Sequence, residues 1–368
     1  MEDYKYLKVF YNDKLVGTLA KTPDRLVAFE YDSDWLSCGF SISPFSLPLQ
    51  KKVFLPKFEP FEGLFGVFND SLPDVWGRLL VDRLLLKNKI NPSEIDNLNR
   101  LAVVQESGMG ALTYKPEHRF ETQEQESDYD KLAQECSKIL ESQSSDNLDE
   151  LFKLGGSSGG ARPKILTKIN GEDWIIKFPS SQDPKNIGEQ EYKYSLVAKD
   201  CGINMTETQL FPSKICSGYF GIKRFDRQNG RKVHMISVSG LLETSHRLPN
   251  LDYSILMKLT LELTKNYQDI EQLYRLMCFN VYAHNRDDHS KNFSFLYDEN
   301  KKEWHLSPAY DLTYSSSFNG EHATAINGEG KNPSLDDILA VAKNIGIKEK
   351  QARNIALDIK EKCSSLFD

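Results

Sequence analysis

The chain predicts an α+β molecule of more than one part, and three observations carry that prediction. Residues 4–30 alternate apolar and polar positions as strands do. A glycine- and serine-rich run at 154–164 leads directly into a second alternating hairpin. Beyond Leu251 the pattern changes to helical spacing, broken by one dense polar loop. A β-rich part followed by an α-rich part implies two lobes, with a small α+β subdomain ahead of them. A length of 368 residues suits two or three such domains and a core of ample size.

In order, Lys8–Tyr11, the turn Asn12-Asp13 and Leu15–Leu19 form the first hairpin, and Val27–Tyr31 extends it. After a proline-rich connection (Pro44, Pro48, Pro56, Pro60), apolar residues at 75, 76, 79, 80 and 84 mark an amphipathic helix. Ile95–Val104 reads as a second helix and Gly108–Tyr114 as a returning strand, so a subdomain of residues 1–115 closes there. Residues 116–150 are rich in Glu, Gln, Ser and Asp. They hold one helical run, Tyr129–Leu140, whose apolar positions share a face, and the expectation is an acidic linker with a tethering helix. Residues 151–240 form the next, β-rich part: Ile165–Ile169, an Asn170-Gly171 turn, Trp174–Phe178, a helix at Glu189–Cys201, and the β-run Tyr219–Asp226. Residues 241–368 are helical, with helices expected at Tyr253–Lys265, Gln268–Ala283, Leu335–Asn344 and Lys348–Leu366.

Composition excludes several classes. No apolar run is long enough to span a bilayer, and the acidic start Met1-Glu2-Asp3 lacks the basic and then apolar pattern of a secretory signal, so the expected location is the cytoplasm. Six cysteines stand far apart without a CxxC pair, which predicts reduced, mostly buried thiols. A net charge of −7 argues against a broad nucleic-acid surface.

The polar loop is His284-Asn285-Arg286-Asp287-Asp288-His289-Ser290-Lys291-Asn292, which runs straight into an apolar strand. Asn292 follows Asp287 by five residues, the offset between the acceptor-orienting Asp and the metal-binding Asn of phosphoryl-transfer loops. A calcium loop does not fit, because Lys291 would occupy a ligand position. A further acid, Asp311 in Ser307–Leu312, follows a hairpin and can return to the same ion. Such residues are otherwise ordinary solvated turn residues; density and context favour the site.

Gly155–Lys164 has the composition of a flexible linker, but it feeds a β-hairpin, as loops that lay amides over phosphates do. Ala161 stands where a Walker A lysine would be, so that motif is excluded. Lys177 is a candidate phosphate-binding lysine, and Glu191 could pair with it; a solvated strand lysine and a surface glutamate would read the same. Tyr219–Asp226 suits a hinge against a nucleotide base. The arrangement is that of a bilobal protein-kinase-like fold.

Taken together the motifs resemble those of the HipA-family serine/threonine kinases, toxins of bacterial toxin–antitoxin pairs. The hallmark N-x-D-x-H-x-K-N-x-S reads Asn285 to Ser294, and P-A-Y-D-L reads Pro308 to Leu312. G-[AV]-x-x-K reads Gly160 to Lys164, K-F-P reads Lys177 to Pro179, and R-F-D-R reads Arg224 to Arg227. Asp70–Arg78 is similar to the family's N-terminal subdomain. Two departures stand out: Lys223 replaces a common acidic residue, and Val233–Glu243 differs from the best-known branch.

The resemblance implies ATP and Mg²⁺ as cofactors and γ-phosphoryl transfer to a serine or threonine of a cellular protein, with aminoacyl-tRNA synthetases the known substrate class. It also implies growth arrest and a small helix-turn-helix antitoxin, through which alone DNA would be bound. Asp287 would be the catalytic base, His289 would face the γ-phosphate, and Asn292 and Asp311 would hold the metal. Ser157, Ser158, Gly159, Gly160, Lys177, Glu191, Lys223 and Phe225 would line the ATP site. Ser157 would be the autophosphorylated serine, with Ser158 the alternative. Two other classes share most of these residues: a small-molecule or lipid kinase of related fold, and a nucleotide-binding pseudokinase scaffold.

Overall fold

The computed structural model describes residues 3–104, 108–120, 128–145, 147–156, 160–317 and 319–367. They fall into two units. The first comprises Met1–Gly188, Gln209–Ile236 and Gly240–Thr244, and the second Glu189–Thr208, Ser237–Ser239 and Ser245–Asp368.

The first unit opens on the expected hairpin. Tyr6–Tyr11 and Lys14–Lys21 pair antiparallel around Asn12, whose φ of 49° is the left-handed value such tight turns need. Leu7, Val9 and Tyr11 alternate into the core. The sheet has five strands in the order Val53–Phe54, Val27–Tyr31, Lys14–Lys21, Tyr6–Tyr11, Leu112–Lys115. Helix Val75–Lys87 buries Trp76, Leu80 and Leu84 of its predicted stripe together with Val81 and Leu85, whereas Val75, expected on the same face, is exposed.

A second sheet in this unit runs Lys164–Ile169, Glu172–Lys177, Tyr219–Lys223, Thr208–Phe211. Its first hairpin closes through Asn170 and Gly171, both with positive φ (51° and 82°). The helix Tyr129–Leu140 begins and ends where its pattern predicts. It is not a bare tether, however. Leu132, Ala133, Cys136 and Ile139 are buried in one cluster with Trp76 and Leu80 on one side of the sequence and Ile165, Trp174 and Ile176 on the other. Those apolar groups leave water only by packing together, so the acidic stretch carries part of the unit's core.

One buried contact here makes a pH prediction. Both Glu243 carboxylate oxygens accept from the Gly66 amide, at 3.0 and 3.1 Å. Burial pushes this carboxyl up to about 7, with Asp70 adding repulsion against the hydrogen bonds from Gly66 and Ser46. An acid whose pKa rises on folding stabilises the fold below its ordinary range, and that contribution is lost as pH rises through the folded value. Glu243→Gln keeps an acceptor and removes the charge, so it is expected to stabilise by on the order of 1–2 kcal/mol at about pH 8 and by nearly nothing at about pH 4. Melting curves at both pH values check this; an equal effect at both would refute it.

The second unit is helical. Helices Ile187–Asp200 (from Glu189 on), Tyr253–Thr264, Tyr267–Tyr282, Leu335–Asn344 and Glu349–Ser364 lie within two residues of their predicted ends. Their starts are capped: Asp252 accepts from Ser254 N, Asn266 accepts from Gln268 N, and Ser334 with Asp337 forms a capping box. Leu256, Met257, Leu273, Tyr274, Met277, Ile355 and Ile359 are buried among them. A hairpin, Ser294–Asp298 with Glu303–Leu306, follows the polar loop, and Leu251–Asp252 pairs in parallel with Thr324–Ala325. Cys136, Cys201, Cys278 and Cys363 are buried and Cys38 is exposed. Among the described residues no helix is long and apolar enough to cross a membrane.

Candidate active site

The polar loop begins where helix Tyr267–Tyr282 stops. His284 N bonds to Val281 O (3.4 Å) and Asn285 N to Asn280 O (2.9 Å), the two hydrogen bonds of a Schellman stop, with His284 at φ 54° in the place usually held by glycine. The chain then presents Asp287 to solvent, its side chain 64% exposed. A short 3₁₀ turn, Ser290–Asn292, folds the end of the loop back: Asn292 N bonds to His289 O (2.8 Å), and Asn292 Nδ2 donates to the Asp287 carbonyl (2.7 Å). This turn gives the five-residue offset its geometry. It also orients the Asn292 amide, whose nitrogen is committed to the Asp287 carbonyl.

His289 caps the same turn. Its Nδ1 accepts from Lys291 N at 3.2 Å, so that nitrogen carries no proton and Nε2 is the protonated one in the neutral ring. Nε2 stands 3.9 Å from Asp287 Oδ1, and the His246 ring lies 5.4 Å away, centroid to centroid. Asp311 reaches the loop through its neighbour. Tyr310 OH donates to the Lys291 carbonyl (2.7 Å) and shares a hydrogen bond with Ser294 Oγ (2.6 Å), so the residues adjoining Asp311 and Asn292 are tied together. Asp311 itself has φ 55°, a left-handed conformation that Asp tolerates better than most residues.

These donors suit a hard cation. Asn292 and Asp311 offer only oxygen. Among the described residues no group of three or more His, Cys, Asp or Glu could cage a metal by itself. Magnesium commonly takes one or two protein oxygens and completes its shell with phosphate and water.

The remaining candidates lie elsewhere in the chain. In the first unit Gly160 has φ 88°; its amide donates to Asp74 Oδ2 (3.1 Å) and its carbonyl accepts from Trp76 N (3.2 Å). Lys177 is buried, with Nζ 5.5 Å from the centre of the Phe220 ring, and it sits directly opposite Lys164, also buried. The two lysines thus share one face of the hairpin. Ser157, Ser158 and Gly159 lie outside the described residues. Lys223 is ion-paired with Glu172 (3.0 Å), and Phe225 is buried. Glu191, in the second unit, is buried on helix Ile187–Asp200.

The charged turn after Tyr219–Lys223 has a structural task. Asp226 accepts from Arg224 Nε (2.8 Å) and NH2 (2.7 Å), from Arg227 NH1 (2.9 Å) and from Gly110 N (2.8 Å), while both arginines donate to the Gly108 carbonyl. Burial alone would raise the Asp226 carboxyl; Arg224, Arg227 and the hydrogen bonds outweigh it and hold it at about 2. Three of the four R-F-D-R residues are thus spent on clamping Gly108–Gly110. Sequence reasoning also missed Tyr253, Asn280, Asp288, His322 and Thr324, which bond to one another beneath the loop. Asp288 was visible as the loop's second acid, but its partner His322 is 34 residues away and left no local signal.

Two family models match the chain. Residues 7–115 match the HipA N-terminal domain, and residues 156–367 match the HipA-like C-terminal domain. A Sinorhizobium fredii protein named "Putative kinase Y4dM" is 26% identical over 236 residues, 59% of this chain and 56% of that protein, so the chain spans little more than half of that relative's length. A Haemophilus influenzae protein named "Putative kinase" is 24% identical over 237 residues, covering 53% of this chain and 68% of that protein. Among solved structures, that of the Shewanella oneidensis toxin–antitoxin system of HipA, HipB and operator DNA contains a chain of similar fold, with a TM-score of 0.71 at 18% identity over 98% of this chain and 90% of that one. Because the C-terminal domain match alone takes in more than half of its residues, and the N-terminal match adds the part before it, the chain belongs to the HipA family.

Proposed function

We propose that this chain is an ATP- and Mg²⁺-dependent serine/threonine protein kinase acting as the toxin of a toxin–antitoxin pair. The observation that carries the reading is the turn that folds Asn292 over the Asp287 carbonyl, with Asp311 tied to it through Tyr310 and Lys291. Phosphoryl transfer asks little covalent chemistry of a protein; it needs positioning and charge neutralisation. Asp287, solvent-facing on a fixed backbone, orients the incoming hydroxyl and accepts its proton. His289, whose Nε2 stands 3.9 Å from Asp287 Oδ1, supplies a donor beside that acid. Asn292 and Asp311 would hold magnesium, which when bound neutralises charge on the transferring phosphates. Lys177 and Lys164 would receive the phosphate oxygens.

Membership of the family supports a protein acceptor, with an aminoacyl-tRNA synthetase as the class implied. The fold shared with HipA in complex with HipB and operator DNA supports a small HipB-like antitoxin as partner. With a net charge of −7, the chain is expected to reach DNA through that partner and not alone. Ser157, or its neighbour Ser158, is the proposed autophosphorylation site, where an added charge of about −1.5 to −2 would oppose bound phosphates.

Labelled ATP incubated with the protein and a cell lysate tests the reading. Label on serine or threonine in protein bands, dependent on magnesium, is the expected result. Label only in small molecules or lipids would move the acceptor to another class. A chain that neither turns over ATP nor shows a nucleotide-dependent melting shift is not a kinase.

A further inference from the structure

We infer that Asp288 and Tyr253 are positioning residues, the centre of a buried hydrogen-bond chain that grips the loop on both sides of Asp287 and sets where that acid points. This inference rests on the reading of Asp287 as the acceptor base.

The chain has a single direction. Asn285 Nδ2 donates to Asn280 Oδ1 (2.9 Å), Asn280 Nδ2 donates to the Tyr253 oxygen (2.8 Å), and the Tyr253 hydroxyl donates to Asp288 Oδ2 (2.9 Å). His322 Nδ1 reaches the same oxygen at 2.9 Å; a carboxylate only accepts, so Nδ1 carries the hydrogen. Thr324 N donates to Asp288 Oδ1 (3.2 Å), and Thr324 Oγ1 donates to the Asp288 backbone carbonyl (2.5 Å). Every member is buried, Asp288 and Tyr253 completely. Burial together with the adjoining carboxylate keeps the Tyr253 phenol protonated far above its ordinary range, as a permanent donor.

The placement gives the network its meaning. Asn285 lies two residues before Asp287 and Asp288 one residue after it, and both ends lead into the same Asn280–Tyr253 link. Residues 285–288 are therefore held as a closed staple, and the Ala323 amide adds a bond to the Arg286 carbonyl at 3.1 Å. A buried carboxylate is a costly way to gain stability, since well-packed apolar groups commonly serve as well. The loop also tolerates a buried Asn285 Oδ1 with no hydrogen-bond partner. Both features fit a device selected for position. Asp287 itself points to solvent, and the staple adds to the hydrogen bond that its carbonyl accepts from Asn292.

Tyr253→Phe removes one hydroxyl without changing shape, and Thr324→Val is the second variant should the first fail to fold. Either is expected to lower kcat for phosphoryl transfer about tenfold, with KM for ATP changed less than about twofold. In an Asp287→Asn background the same change should cost nothing further, because the residue being positioned is already gone. Hydrogen exchange in peptides covering 284–292 should accelerate, while exchange in helix Glu349–Ser364 stays as in the parent. Unchanged exchange at 284–292, or an equal fractional loss of rate in both backgrounds, overturns the inference. If the parent protein proves inactive, the proposed function falls, and the exchange measurement alone decides whether the staple holds the loop.

Discussion

Asp287→Asn is expected to lower the rate of phosphoryl transfer by a factor on the order of 10² to 10⁴ while leaving ATP affinity nearly unchanged. The loop itself should survive the change. Its shape depends on the Asp287 backbone carbonyl, which accepts from Asn292, and on the staple at Asn285 and Asp288, none of which uses the Asp287 carboxylate. With that side chain 64% exposed, its charge contributes little to folding. The loss would therefore be of chemistry. Single-turnover rates with labelled ATP, beside calorimetric nucleotide affinities, separate the two quantities. A variant that keeps near-parental rates would remove Asp287 from the mechanism and leave the acceptor base unassigned.

The second large effect concerns the metal. Losing the Asp311 carboxylate is expected to weaken ATP binding about tenfold or more in the presence of Mg²⁺, and hardly at all when EDTA has removed it. Choice of substitution matters, because Asp311 sits at φ 55°, where an ordinary L-residue pays about 1–2 kcal/mol that asparagine largely avoids. Asp311→Asn should thus reproduce the magnesium-dependent loss with the backbone intact, whereas Asp311→Ala adds strain to it. Titrations with and without the metal decide the matter. Equal affinities for parent and Asp311→Asn in magnesium would leave Asn292 without its proposed companion.

Much of this molecule follows from rules that act over a few residues. The tight turns at Asn12 and Asn170-Gly171 form because those residues accept positive φ. The helices of the second unit stop and start within two residues of their apolar periodicity and their Asp, Asn and Ser caps. The offset of Asp287 and Asn292 was legible for the same reason, since one 3₁₀ turn accounts for it.

What sequence could not decide is pairing across distance. The apolar stripe of Tyr129–Leu140 announced a helix, yet only the packed structure says that its face is buried beside Trp76 and Trp174 and is no mere tether. R-F-D-R reads locally as a charged turn after a strand, and only the fold shows that its charges close on Gly108 and Gly110, more than a hundred residues earlier in the chain. Asp74 meets Gly160 across 86 residues and Asp288 meets His322 across 34. Local periodicity and turn chemistry are written in neighbouring side chains. The partner of a buried donor or charge is chosen by which groups are brought together when water is excluded, and that choice is made only by the whole fold.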